Sequence, residues 1–148
     1  MDYKTYKQYR EDRQAAISAI LSKYAFFAFS DEQFTEGLQS LGLEDKPGSL
    51  RKLYRLNGGG FILKEHYPKL KDAAEAAADE FTDRANDPET GDRFLYEAFL
   101  EELYNHEFSY TGDARDALDA LGLEIEDMTG HQRALLAKAC NEVLQNSF

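Results

Sequence analysis

The sequence predicts an α+β fold, mostly helical, in which about six helices accompany a small three-stranded antiparallel sheet. Apolar residues recur at i, i+3, i+4 and i+7 over most of the chain, the spacing of one helix face. Two short apolar runs flank Asn57-Gly58-Gly59-Gly60, which is a hairpin pattern. With 43% apolar and 13% aromatic residues in a length of 148, the chain can bury a core without a staple.

The first helix is expected over residues 3–22, packing through Ala16, Ile17, Ile20 and Leu21. Its Tyr3-Lys4, Tyr6-Lys7 and Tyr9-Arg10 triplets drift around the helix, so they form no basic stripe. Residues 24–29 (YAFFAF) read as a buried strand. Ser30 and Gln33 form a capping box that opens a helix through Phe34, Leu38 and Leu41, which Gly42 ends. Lys46 to Ser49 is expected to be a loop, and residues 53–56 and 61–64 the arms of the hairpin.

Pro68 suits the first turn of a helix reaching about residue 86, with Leu70, Ala73, Ala74, Ala77 and Phe81 on its packing face. A helix from Asp92 to about His106 is apolar most of the way round, which marks it as central. A short helix over 113–121 ends at Gly122-Leu123, and Thr129 with Gln132 opens the last helix. Residues 38–44 (LQSLGLE) echo 118–124 (LDALGLE), an echo that shared helix-end chemistry accounts for. No linker or low-complexity tract divides the chain, so one domain is expected over 1–148.

The net charge of −11 is unevenly spread. Residues 1–74 hold twelve bases against ten acids, 75–127 three against seventeen, and 128–148 two against one. Such an asymmetry speaks about partners rather than fold. Glu75, Asp79, Asp83 and Asp87 recur every fourth residue, Glu97 and Glu101 edge the central helix, and Asp113, Asp116 and Asp119 follow on the short one. Like charges one turn apart cost a few tenths of a kcal/mol each, so one-signed stripes suggest a surface for a basic partner. Plain solubility of an acidic protein is the alternative.

Other chemistry is sparse. The glycine loop at 57–60 leads into a strand instead of opening a helix, so it is a hairpin loop and not a phosphate cradle, although Arg51, Lys52 and Arg55 beside it leave room for an anion contact. The one cysteine, Cys140, rules out an internal disulfide and a cysteine zinc site, and reads as a small buried thiol. No nucleophile elbow occurs. Glu102, Asn105, His106 and Glu107 form a possible polar site, because Glu102 and His106 share an otherwise apolar helix face. They could pair, titrate together or ligate a metal. In the plainer reading His106 caps the helix and Glu102 is solvated at the margin of the core. No catalytic residue, cofactor or resident metal is assigned. No secretory leader or membrane span is expected, which points to the cytosol.

Three stretches, FFAFSDEQFTEGL (26–38), LYRLNGGGFILK (53–64) and FLYEAFLEELYNHEFSYTGDARDALDALGL (94–123), resemble a family of small proteins of unassigned function from phages and mobile elements of bacteria. The resemblance implies a bacterial host and lends no catalytic residues. Small acidic phage proteins often inhibit host machinery, CRISPR nucleases and restriction enzymes among it. The expected function is therefore non-enzymatic: an acidic, DNA-mimic-like inhibitor of a host protein with a basic surface, with no direct nucleic-acid binding through the acidic face. The alternatives are a small metal-dependent enzyme or regulator using Glu102, His106 and Glu107, and an accessory protein that self-associates through the sheet edge.

Overall fold

In the computed structural model, which describes residues 2–147, side-chain caps set where three long helices begin. Helix α1 (Tyr6–Tyr24) starts after Thr5, whose hydroxyl accepts from the Gln8 N–H at 3.1 Å while Gln8 Oε1 accepts from the Thr5 N–H. This box, Thr-x-x-Gln, moves the helix start from the expected residue 3 to residue 6. Strand β1 (Ala25–Phe27) follows without a break and is shorter than the expected 24–29. Helix α2 (Asp31–Ser40) is capped by Ser30, which accepts from Gln33 N–H at 3.2 Å. The expected loop at 46–49 is a single helical turn, α3 (Pro47–Leu50), with proline in the first turn.

Strands β2 (Leu53–Leu56) and β3 (Gly60–Leu63) form the hairpin, and β1 pairs with β3 from the other side. The sheet is antiparallel throughout in the order β1-β3-β2, with Ala25 and Tyr54 both opposite Ile62. After a 3-10 turn at Lys64–His66 come α4 (Tyr67–Ala85), α5 (Gly91–Asn105), the unexpected turn α6 (Phe108–Thr111), α7 (Arg115–Ala120) and, past a 3-10 turn at Ile125–Asp127, α8 (Gly130–Ser147). Thr129 and Gln132 bond reciprocally at the start of α8. Eight helices are thus present among the described residues, against about six expected, because one-turn helices carry too little periodicity to read.

The echo between 38–44 and 118–124 is one cap built twice. Leu43 N–H reaches Leu38 O at 2.8 Å and Leu123 N–H reaches Leu118 O at 2.9 Å, around Gly42 (φ 75°) and Gly122 (φ 68°). Both are Schellman ends, which need a left-handed residue at that position.

The chain divides into two compact units, Met1–Arg10 with Glu80–Phe148, and Glu11–Asp79. In the first, Tyr6, Tyr9, Phe81 and Phe94 are mutually packed, all six pairs of ring centroids lying 5.5 to 6.4 Å apart. Phe99, Ala98, Leu103, Ala139 and Val143 continue this core, and α5 is central as its all-round apolarity implied. The burial of α1 corrects the sequence reading. Tyr6 and Tyr9 are its buried residues, whereas Ala16 is exposed and Ile17, Ile20 and Leu21 are half-buried. On α4 only Phe81 is fully buried and Ala74 is exposed, so the alanine face makes no tight helix seam.

The second unit has a smaller core of Phe26, Leu38 and Leu53, with Phe34 and Phe61 packed against it. Gly37 lets α2 approach the sheet, since a Cβ there would lie 2.1 Å from the Phe26 ring.

Candidate functional site

The nine acidic residues singled out in the sequence divide by whether the fold pairs them. Four of the nine are spent inside the fold. Asp87 lies beyond the end of α4, and its carboxylate accepts the Glu89 and Thr90 N–H groups at 2.9 Å each. Those backbone bonds, Thr90 first, hold its pKa below the ordinary carboxylate value. Asp113 precedes α7 and grips the Arg115 guanidinium at 2.6 Å, which lowers its pKa to about 2. Glu97 accepts the Tyr3 hydroxyl and lies 3.7 Å from Arg93. Glu101 pairs with Arg10 at 3.1 Å.

The other five, Glu75, Asp79 and Asp83 on α4 and Asp116 and Asp119 on α7, are exposed. None has an ion-pair partner among the described residues. The α4 three are spaced one turn apart, about 6 Å of rise, and Arg84 is not available to relieve them. Its Nε is taken by Glu80 at 3.2 Å and a terminal nitrogen by the Asp2 carbonyl.

Of the four expected polar residues, the structure places His106 beside Glu102. Glu102 is 4% exposed, which corrects the picture of a carboxylate solvated at the core margin. Tyr6 donates its hydroxyl to Oε1 at 2.9 Å, Arg10 Nε lies 3.8 Å away, and His106 Nε2 is 3.3 Å from Oε2. A buried carboxylate persists only when so partnered. Burial first, and then the adjacent carboxylate, push the Tyr6 hydroxyl well above its ordinary pKa. Helix geometry brings Glu102 and His106 together at i, i+4, and the His106 N–H also caps α5 on the Glu102 carbonyl. Asn105 and Glu107 are exposed, and Glu107 takes a left-handed backbone (φ 57°) ahead of α6. Among the described residues no group of three His, Cys, Asp or Glu side chains converges to hold a metal ion.

Sequence reading missed Tyr6 and Arg10 as the partners of Glu102. The signal available was the i, i+3 pairing of Tyr6 with Tyr9, two aromatic residues on one face near the start of a helix. Cys140 is half-buried on α8, and burial raises its thiol pKa, as befits an unreactive packing residue. No described helix is long and apolar enough to cross a membrane.

No curated protein and no solved structure matches the chain. A family model does match, from residue 6 to residue 146, and it carries nothing about phages or mobile elements. Because the match spans nearly every element from α1 to α8, the chain belongs to the family of unknown function DUF7659.

Proposed function

We propose that this is a non-enzymatic binding protein whose unpaired carboxylates dock on a basic surface of another protein, in the manner of a nucleic-acid mimic. The observation that carries the reading is the pairing pattern. The acids that remain exposed, Asp83, Asp116 and Asp119 with Glu75 and Asp79, form no ion pair among the described residues, and Arg115, the base nearest Asp116 and Asp119, is gripped by Asp113. A purely solubilising surface mixes both signs, whereas a one-signed array at helical spacing presents what a groove built for phosphates attracts. The resemblance to phage and mobile-element proteins suggests the class of target: a nucleic-acid-handling defence enzyme of the CRISPR or restriction type.

Excess protein should displace DNA from such an enzyme in a gel-shift assay, and the displacement should weaken steeply between about 50 and 200 mM salt. The combined substitution Asp83→Lys, Asp116→Lys and Asp119→Lys should abolish it with the circular dichroism spectrum unchanged. Displacement that ignores both salt and these reversals would sink the reading.

A further inference from the structure

The hairpin, the turn after it and the first turn of α4 carry the opposite charge pattern. Residues 51–71 contain six lysines and arginines against one acid, Glu65. Lys64 and Lys69, with Lys23 at the end of α1, have no carboxylate partner among the described residues. What they contact is aromatic. Lys69 Nζ donates to the Tyr24 hydroxyl at 3.0 Å and lies 4.6 Å from the Tyr24 ring centroid, and Lys23 Nζ is 5.3 Å from it. Lys64 Nζ stands 5.1 Å from the Tyr54 ring, whose edge-on neighbour at 5.2 Å is Tyr67. The Tyr24 ring stacks on His66 at 3.8 Å with 19° between planes.

We propose that this face of the second unit binds single-stranded nucleic acid, the lysines meeting phosphates and the tyrosine rings meeting bases. Charge complementarity requires an anionic partner. The rings narrow the choice: Tyr54 is 46% exposed and Tyr67 37% exposed, so a nucleobase can reach them. Base stacking with a cationic track is how single strands are held without sequence readout. A duplex buries its base faces and would leave these rings idle, and an acidic peptide would use the ammonium groups alone. Lys64, resting on the Tyr54 ring, is held there only weakly, by cation–π attraction of order 1 kcal/mol at exposed sites, so it can swing to a phosphate and uncover the ring. The overall charge of −11 opposes approach from a distance, but salt screens it beyond about 10 Å while close contacts persist. The test of this proposal does not depend on that of the acidic residues.

The measurement is fluorescence anisotropy of a labelled oligo-dT of about 12 nucleotides titrated with the full chain. Binding should appear at low salt and fall as salt rises, with a log–log slope near −2 for about three phosphate contacts. Lys64→Glu with Lys69→Glu should weaken it at least tenfold, and Tyr54→Leu about tenfold, each variant checked for an unchanged circular dichroism spectrum. An abasic strand of equal length should bind markedly less well, and poly-glutamate of equal charge should displace the strand poorly. Equal binding of the abasic strand, displacement by poly-glutamate at matched charge, a duplex preferred over the single strand, or no binding at low salt would each overturn the proposal.

Discussion

The two units of this chain treat their charges differently. Met1–Arg10 with Glu80–Phe148 holds eight bases against seventeen acids, and most of its bases are consumed. Lys4 and Arg84 reach Glu80, Arg10 reaches Glu101 and Glu102, Arg93 reaches Glu97, and Arg115 reaches Asp113. What is left over there is mainly carboxylate, Asp83, Asp116 and Asp119 among it, although Lys138 rests on the Tyr96 ring. Glu11–Asp79 is nearly balanced, nine bases against eleven acids, and leaves over both signs: Glu75 and Asp79 on α4, and Lys64 and Lys69, which are set on aromatic rings. Net charge therefore misstates both surfaces. The difference teaches that a partner is chosen by the residue of charge after internal pairing, because a paired group offers little field beyond its own ion pair.

The strongest way to break that comparison is to remove the carboxylate that the first unit keeps buried. Glu102→Ala leaves the Tyr6 hydroxyl without an acceptor and opens a void beside His106 and Arg10. It should cost about 3 kcal/mol in urea unfolding. Glu102→Gln keeps an acceptor for Tyr6 and should cost about 1 kcal/mol. Equal effects of the two would show that bulk, and not the acceptor, matters at this position.

A smaller effect is expected in the second unit, whose core is packed with little room. Gly37→Ala would press a methyl group on the Phe26 ring and should cost about 2 kcal/mol. Adding Phe26→Leu should return part of that loss, a non-additivity that identifies direct contact. Simple addition of the two costs would refute the close approach.

The smallest expected effect is spectroscopic and contrasts the units directly. Burial, followed by the Glu97 carboxylate, raises Tyr3 from 10.0 to about 12, and Tyr6 is raised likewise beside Glu102. The hydrogen bonds from Lys69 and Lys23 lower Tyr24 instead. The phenolate absorbance of the folded protein should thus rise from Tyr24 before Tyr3 and Tyr6, and Tyr24→Phe should delete that early step. The signs for stability are opposite. The contributions of Tyr3 and Tyr6 are complete below pH 10 and are lost as pH climbs through their raised values. That of Tyr24 is present above pH 10 and is lost as pH falls through its lowered value. An early phenolate step that survives Tyr24→Phe would reverse the assignment.

Much of the framework was legible because its causes are local. The boxes at Ser30-Gln33 and Thr129-Gln132, the glycine ends at Gly42 and Gly122, and the hairpin around 57–59 are each written within about six residues. The box at Thr5-Gln8 was equally local and shifts the first helix by three residues. The candidate site was legible only in composition. That Asp83 is exposed, and that Glu97 and Glu101 are spent, depends on partners far along the chain.

The sequence by itself determined the long helices, the caps at Ser30 and Thr129, the antiparallel pairing of the hairpin and the concentration of acid in residues 75–127. Only the tertiary structure decided that Tyr6 and Tyr9 are core, that Glu102 is buried against a tyrosine 96 positions earlier, and which carboxylates remain unpaired. The physical reason is range. Backbone capping and turn chemistry act between near neighbours, whereas desolvation and ion pairing act between whichever side chains the packed core brings within a few ångströms.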